Sequence, residues 1–120
     1  MTPEIFESEY NLCLIIWEKE PISTTELVKI AKEKLNWQRT TTYTVVKRLC
    51  ERKVLQNNSG TVTSLVSKKE AQISRMDEMI DKTFEGSLPS FINAFASSKK
   101  INEKDLEEIE KMIEMIRKGL

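Results

Sequence analysis

A chain of 120 residues suffices for one ordinary domain or two small ones, and its 39% hydrophobic and 32% charged residues exclude a disordered polypeptide. Formal net charge is zero, histidine is absent, and Cys13 and Cys50 are the only cysteines, so the commonest general base and a zinc-type ligand set are both missing. No apolar run approaches the roughly 20 residues of a membrane span, and the acidic start "MTPEIFESEY" lacks the basic and apolar regions of a signal peptide, so a cytoplasmic protein without membrane insertion is expected.

Three Gly and three Pro leave little punctuation and favour helices. Residues 5–19, "IFESEYNLCLIIWEK", set Ile5, Leu12, Ile15 and Ile16 at helical spacing, with Trp17 near the end and Pro21 as the stop. Ser23 reads as the N-cap of a second helix, "TTELVKIAKEKL", with Glu26 closing a capping box. That helix buries Leu27, Ile30 and Ala31, with Leu35 at its edge, and ends at Asn36. A third helix is expected over 39–52. At 100° per residue, Thr42, Val45, Val46 and Leu49 gather on one side; Thr40, Tyr43, Thr44, Lys47 and Glu51 gather on the other, flanked by Thr41 and Arg48. "KVLQN" then reads as a strand, "NSG" as a turn and "TVTSLVS" as the returning strand. Three helices followed by a hairpin is the order of a winged helix-turn-helix.

Beyond Lys68 only helical patterns remain. Ile73, Met76, Met79, Ile80 and Phe84 form one stripe, broken at Gly86, and Leu88, Phe91, Ile92 and Phe95 form a second. After the polar "SSKK", Asn102 reads as an N-cap with Asp105 at the third helical position. It opens a last helix in which Leu106, Ile109, Met112, Ile113, Ile116 and Leu120 recur at steps of three and four. The expected fold class is mainly α with a small β wing. A winged helix-turn-helix domain over 1–70 precedes a helical region over 71–120.

The zero net charge conceals an asymmetry. Residues 29–53 carry eight basic side chains against two acidic ones, whereas residues 71–120 carry eight basic and ten acidic. A local basic excess is what phosphate binding needs. Threonine costs several tenths of a kcal/mol relative to alanine in a helix, so a threonine cluster on the outer side of the third helix calls for a reason. A DNA major groove supplies one. It accepts a slim surface whose hydroxyls donate and accept hydrogen bonds and whose methyls meet thymine, while Arg39, Lys47 and Arg48 reach guanine or phosphate. The plain alternative is a solvated face on which β-branched residues are tolerated. The hairpin has the shape of a wing but carries no basic residue between Val54 and Ser67.

The last two stripes are too apolar for a region of about 50 residues to bury on itself. A two-fold dimer solves this and matches a palindromic operator with half-sites about one or two turns apart. The alternative is that these helices fold back on the winged domain. Met76, Met79, Met112 and Met115 read as core and interface filler, not as a metal site, and the two cysteines as small hydrophobes. No cofactor is implied.

"SEYNLCLIIWEKEPISTTELVKIAKEK" followed by "TTTYTVVKRLCERKVL", together with the amphipathic "INEKDLEEIEKMI", resembles the penicillinase-repressor (BlaI/MecI/CopY) family of bacterial transcriptional repressors. The resemblance covers nearly the whole chain. It implies a homodimer with an N-terminal winged helix and a C-terminal dimerisation region, binding palindromic operator DNA and repressing resistance or stress genes. Carried over by position, it implies DNA contacts from Arg39, Thr40, Thr41, Tyr43, Thr44, Lys47 and Arg48. It also implies dimer contacts from Phe91, Ile92, Phe95, Leu106, Ile109, Met112, Ile113 and Ile116. In the β-lactam branch a membrane sensor-protease signals and the repressor is cut between Asn and Phe. The matching stretch here is "SFINAFASS", so the candidate bond is Ala94–Phe95, with the Asn one residue earlier. The ending "IRKGL" has none of the cysteines of the copper-responsive members, which argues against copper sensing through that motif.

Two rival readings stand beside this one. A winged helix can serve as a protein-interaction module, with Thr40–Lys47 docking a partner and no specific DNA binding. An enzyme would need a carboxylate site from Glu107, Glu108 and Glu110, which read better as the solvated face of the last helix.

Overall fold

The computed structural model describes residues 2–98 and 101–120, and the chain divides into two compact units, Met1–Met76 and Asp77–Leu120. The first unit runs α1 (Glu7–Lys19), β1 (Ile22–Ser23), α2 (Thr24–Leu35), α3 (Arg39–Glu51), β2 (Leu55–Asn58) and β3 (Thr61–Ser64), and then enters α4 (Lys68–Phe84). The three strands form one antiparallel sheet in the order β1-β3-β2, with Val62 facing Ile22 on one side and Asn57 on the other.

Local chemistry sets the boundaries. Ser23 Oγ accepts the Glu26 backbone N–H at 3.1 Å and caps α2, while the expected return bond from the Glu26 side chain, which would close a capping box, does not form among the described residues. Asn36 ends it in the left-handed region at φ 56°, a conformation asparagine tolerates. Between β2 and β3, Ser59 and Gly60 both take positive φ (52° and 94°), the twist a two-residue hairpin needs, and Asn57 Oδ1 accepts the Gly60 N–H at 2.9 Å.

Apolar residues at helical spacing then close one core. Leu12, Cys13 and Ile16 of α1, Leu27 and Ala31 of α2, and Val46 and Leu49 of α3 meet Val54, Leu55 and Val62 of the hairpin. Each fully buried leucine or valine contributes about 1.5–3 kcal/mol by leaving water. Two polar ties hold the hairpin to α1. Trp17 Nε1 donates to the Val66 carbonyl at 2.9 Å, and the Glu20 carboxylate accepts from both the backbone N–H and the hydroxyl of Ser64.

Some boundaries differ from the sequence expectation. Helix α1 begins at Glu7, not Ile5, because the Glu9 carboxylate accepts the Phe6 backbone N–H at 2.9 Å and makes Phe6 the entry residue. The third helix stops at Glu51, with Arg52 as its C-cap. Strand β2 starts at Leu55, not Lys53, since Lys53 is left-handed (φ 67°) and the Val54 N–H still bonds the Leu49 carbonyl. Strand β3 stops at Ser64, not Ser67, because the Leu65 and Val66 N–H groups both turn to the Val54 carbonyl. Strand β1, two residues long, was not expected at all.

In the second unit, α4 is followed by α5 (Leu88–Ser98) and α6 (Glu103–Gly119). The expected break falls at Glu85 and Gly86, both at positive φ, where the Gly86 N–H returns to the Ile80 carbonyl at 3.1 Å. Asn102 Oδ1 accepts the Asp105 N–H at 2.8 Å and caps α6. Phe91 stacks edge-on against Phe84 and lies beside Phe95, yet α5 and α6 contain no buried residue. Lys99 and Lys100 of the polar "SSKK" lie outside the described residues. Among the described residues, no helix is long and apolar enough to cross a membrane.

Candidate nucleic-acid interface

Helix α3 has two chemically distinct faces. Thr42, Val45, Val46 and Leu49 are buried against the core, the Thr42 hydroxyl being satisfied by the Gln38 carbonyl at 3.3 Å. Arg39, Thr40, Thr41, Tyr43, Thr44, Lys47 and Arg48 are all exposed, so all seven sequence-expected contact residues share the solvent side of one helix. Helix packing fixes that orientation: with the apolar stripe seated, the threonine-rich face has no other direction to take.

The start of α3 is electropositive. Gln38 provides no side-chain cap, the first turn has no acidic residue, and Arg39 is the first helical residue. Helices α1 and α2 instead carry Glu7, Glu9 and Glu26 in their first turns. A cation at a helix N-terminus opposes the macrodipole by typically 0.3–1 kcal/mol, and a nearby anion reverses that sign. Among the described residues Arg39, Lys47 and Arg48 form no ion pair, while Lys29, Lys32, Lys34 and Lys53 are exposed as well. The Arg39 guanidinium lies 5.5 Å from the centroid of the Tyr43 ring, and the Thr44 hydroxyl donates to the Thr40 carbonyl at 2.8 Å.

One cation of the basic segment is engaged inward. Arg52 pairs with the buried carboxylate of Glu9, donates to the Glu4 carbonyl at 2.8 Å, and lies over the Phe6 ring. Burial pushes the Glu9 carboxyl up. The Arg52 hydrogen bond, the Phe6 N–H and the positive charges of Arg52 and Arg48 outweigh it and hold the group below its ordinary value. Arg52 is one of the eight basic residues counted over 29–53. The partner lies 43 residues earlier, and only a buried acid in the otherwise wet first turn of α1 would have signalled it.

The wing tip, Asn57–Thr61, is polar but uncharged, so it can donate and accept hydrogen bonds without attracting phosphate over distance. Burial damps both thiols: with the Glu9 charge adding to it, burial pushes Cys13 up to about 12, and burial raises Cys50.

The second unit presents a different surface. Ile92, Phe95, Leu106, Ile109, Met112, Ile113 and Ile116 are 39–62% exposed, and Phe91 is half-buried. Phe91, Ile92, Phe95, Leu106, Ile109 and Met112 line one apolar groove of about 640 Å³ between α5 and α6. The eight residues expected to form a dimer contact therefore lie on these two helices. Ala94 and Phe95 are both exposed, and the bond between them lies within α5.

Residues 5–115 match the family model described as penicillinase repressor. A penicillinase repressor of Staphylococcus aureus is 23% identical over 119 residues, covering 96% of this chain and 94% of that one. Among solved structures, Staphylococcus aureus MarR in complex with salicylate and kanamycin is similar at a TM-score of 0.47 and 14% identity, covering 94% of this chain and 71% of that one. With three helices, an antiparallel wing and a family match across almost its whole length, the chain belongs to the penicillinase repressor family and is a winged-helix transcription regulator.

Proposed function

We propose that the protein is a homodimeric repressor that binds palindromic operator DNA through the exposed face of α3. The winged domain, residues 1–70, carries Arg39, Thr40, Thr41, Tyr43, Thr44, Lys47 and Arg48 to the major groove. The helical region, residues 71–120, pairs with a second copy through the stripes on α5 and α6. The observation that carries this reading is the α3 surface itself: seven slim, hydrogen-bonding or cationic side chains, all exposed, on a helix whose opposite face is locked in the core. A groove-reading helix needs that combination, and a merely solvated helix gains nothing from it. The same reading assigns control of resistance or stress genes and release by a membrane sensor-protease cutting at Ala94–Phe95. Both residues are exposed, and the helix around them must open locally to present an extended bond to a protease.

Binding of the purified protein to DNA from upstream of its own gene tests the central part. Lys47→Ala should weaken binding and flatten the log–log salt slope by about 0.9 per phosphate no longer neutralised, hence by about 1.8 for a dimer that loses one contact in each half-site. Thr44→Asp, which sets a negative charge against the groove, should weaken binding further. If both variants bind like the parent, α3 is not the reader, and a protein-docking role for the same face takes its place.

A further inference from the structure

Within that reading, on which this step rests, we infer that Arg39 reads a guanine edge in each half-site, with Tyr43 as the residue that positions it and Thr44 presenting its methyl group to a neighbouring thymine. Lys47 and Arg48 are left to the backbone phosphates. The division follows from what each side chain has free. Arg39 is the first residue of α3, and in helix-turn-helix docking the N-terminal residues of the recognition helix meet base edges while later ones meet the backbone. Its guanidinium makes no ion pair and no hydrogen bond among the described residues, so the planar fork is available for bidentate contact with O6 and N7 of guanine.

The fork is also held. Tyr43 lies one turn later on the same exposed face, with its ring 5.5 Å from the Arg39 carbon, and an aromatic face there restricts the long side chain before DNA arrives. Preorganisation of this kind lowers the ordering cost of binding. Thr44 differs from its neighbours because its hydroxyl hydrogen is already bonded to the Thr40 carbonyl at 2.8 Å. What it can still offer a groove is a methyl and an acceptor lone pair, a poor match to phosphate and a good one to the C5-methyl of thymine. The hydroxyls of Thr40 and Thr41 have no such bond among the described residues and remain free to donate.

Selection of bound duplexes from a randomised 30-base-pair pool (about three helical turns, long enough for two half-sites), with the full-length protein and its variants, tests this. The parent should enrich a palindrome containing one strongly preferred guanine per half-site. Arg39→Ala should lose the preference at that position alone, with roughly a tenfold to hundredfold loss for each half-site contact on the parent's best site. Replacing that guanine by 7-deazaguanine should weaken the parent similarly and leave Arg39→Ala unaffected. Tyr43→Phe should keep the preference and Tyr43→Ala should blunt it, while uracil in place of the adjacent thymine should weaken the parent but not Thr44→Ser. An Arg39→Ala variant that binds every site more weakly with its base preferences intact would make Arg39 a phosphate contact and overturn the assignment. A pool that enriches nothing would overturn the DNA-reading proposal beneath it, a different and separable failure. Arg39, Tyr43 and Thr44 are exposed, so the variants should stay folded, with thermal melts near the parent's and that of Arg39→Ala, freed of a cation at the helix start, slightly higher.

Discussion

The two units treat their hydrophobic residues in opposite ways. In the first, apolar side chains from α1, α2, α3 and the hairpin interlock until Leu12, Ile16, Leu27, Leu49 and Val54 are completely shielded from water. In the second, helices of comparable length leave Ile92, Met112 and Ile116 more than half exposed, and among the described residues of that unit Ile80 is the only buried hydrophobe. The first unit thus buries its own core and leaves one face of α3 exposed. The second presents an apolar surface of the kind that marks an interface, since monomeric soluble proteins rarely keep contiguous patches of this sort. Periodicity alone does not reveal that difference. The stripe on α6 is more sharply amphipathic than that on α3, and only the number of elements packed around each separates a buried stripe from an exposed one.

Substitutions can sharpen the contrast. The largest expected effect is on assembly. Ile109→Asp combined with Ile113→Asp should convert the proposed dimer to a monomer in sedimentation at micromolar concentration, with the melt of the winged unit retained. A double variant that stays dimeric would remove α6 from the interface. Next comes the core: Leu49→Ala should cost about 3 kcal/mol in chemical denaturation, because it empties a fully enclosed site. Met112→Ala, at 58% exposure, should cost the unassembled chain under 1 kcal/mol.

Arg52→Met should follow at about 2 kcal/mol, less than a fully enclosed pair, because the arginine side chain keeps 28% exposure while Glu9 keeps 6%. The pH dependence has a definite sign. Glu9 binds its proton less tightly in the folded chain than in the unfolded one, so the pair stabilises fully above the ordinary carboxylate value of 4.5 and loses that contribution as pH falls through the depressed native value. Acid titration of stability should therefore flatten in Glu9→Gln. The smallest effect concerns the thiols. At pH 8 buried Cys13, pushed up to about 12, should not react appreciably with iodoacetamide until the chain unfolds, and half-exposed Cys50, raised by burial, should react more slowly than a free thiol.

Much of this was legible in the residues. Ser23 with Glu26 and Asn102 with Asp105 announced two helix starts, and the side-chain caps form at 3.1 and 2.8 Å. The faces of α3 followed from 100° geometry because its four apolar positions leave one solution for burial. What escaped was long-range. Strand β1 is two residues whose extended state is selected by pairing with Thr61 and Val62, nearly 40 residues away, and no local pattern of that length carries such a signal. The inward engagement of Arg52 is long-range in the same way. A cation beside Lys53 in a basic segment looks like part of a phosphate-binding surface until the fold brings Glu9 against it. The register of the wing, by contrast, was local chemistry, written in Asn57, Ser59 and Gly60.

The central claim is that the outer face of α3, carried twice by a dimer, is a DNA-reading surface. A gel shift of the full-length protein on DNA upstream of its own gene, repeated across a salt series and followed by footprinting, addresses it most directly. The account predicts one discrete dimer complex, a palindromic footprint with half-sites about one or two helical turns apart, and affinity that falls steeply as salt rises. Absence of binding at low salt would contradict it, and the exposed threonine and arginine face of α3 would then be a docking surface for another protein.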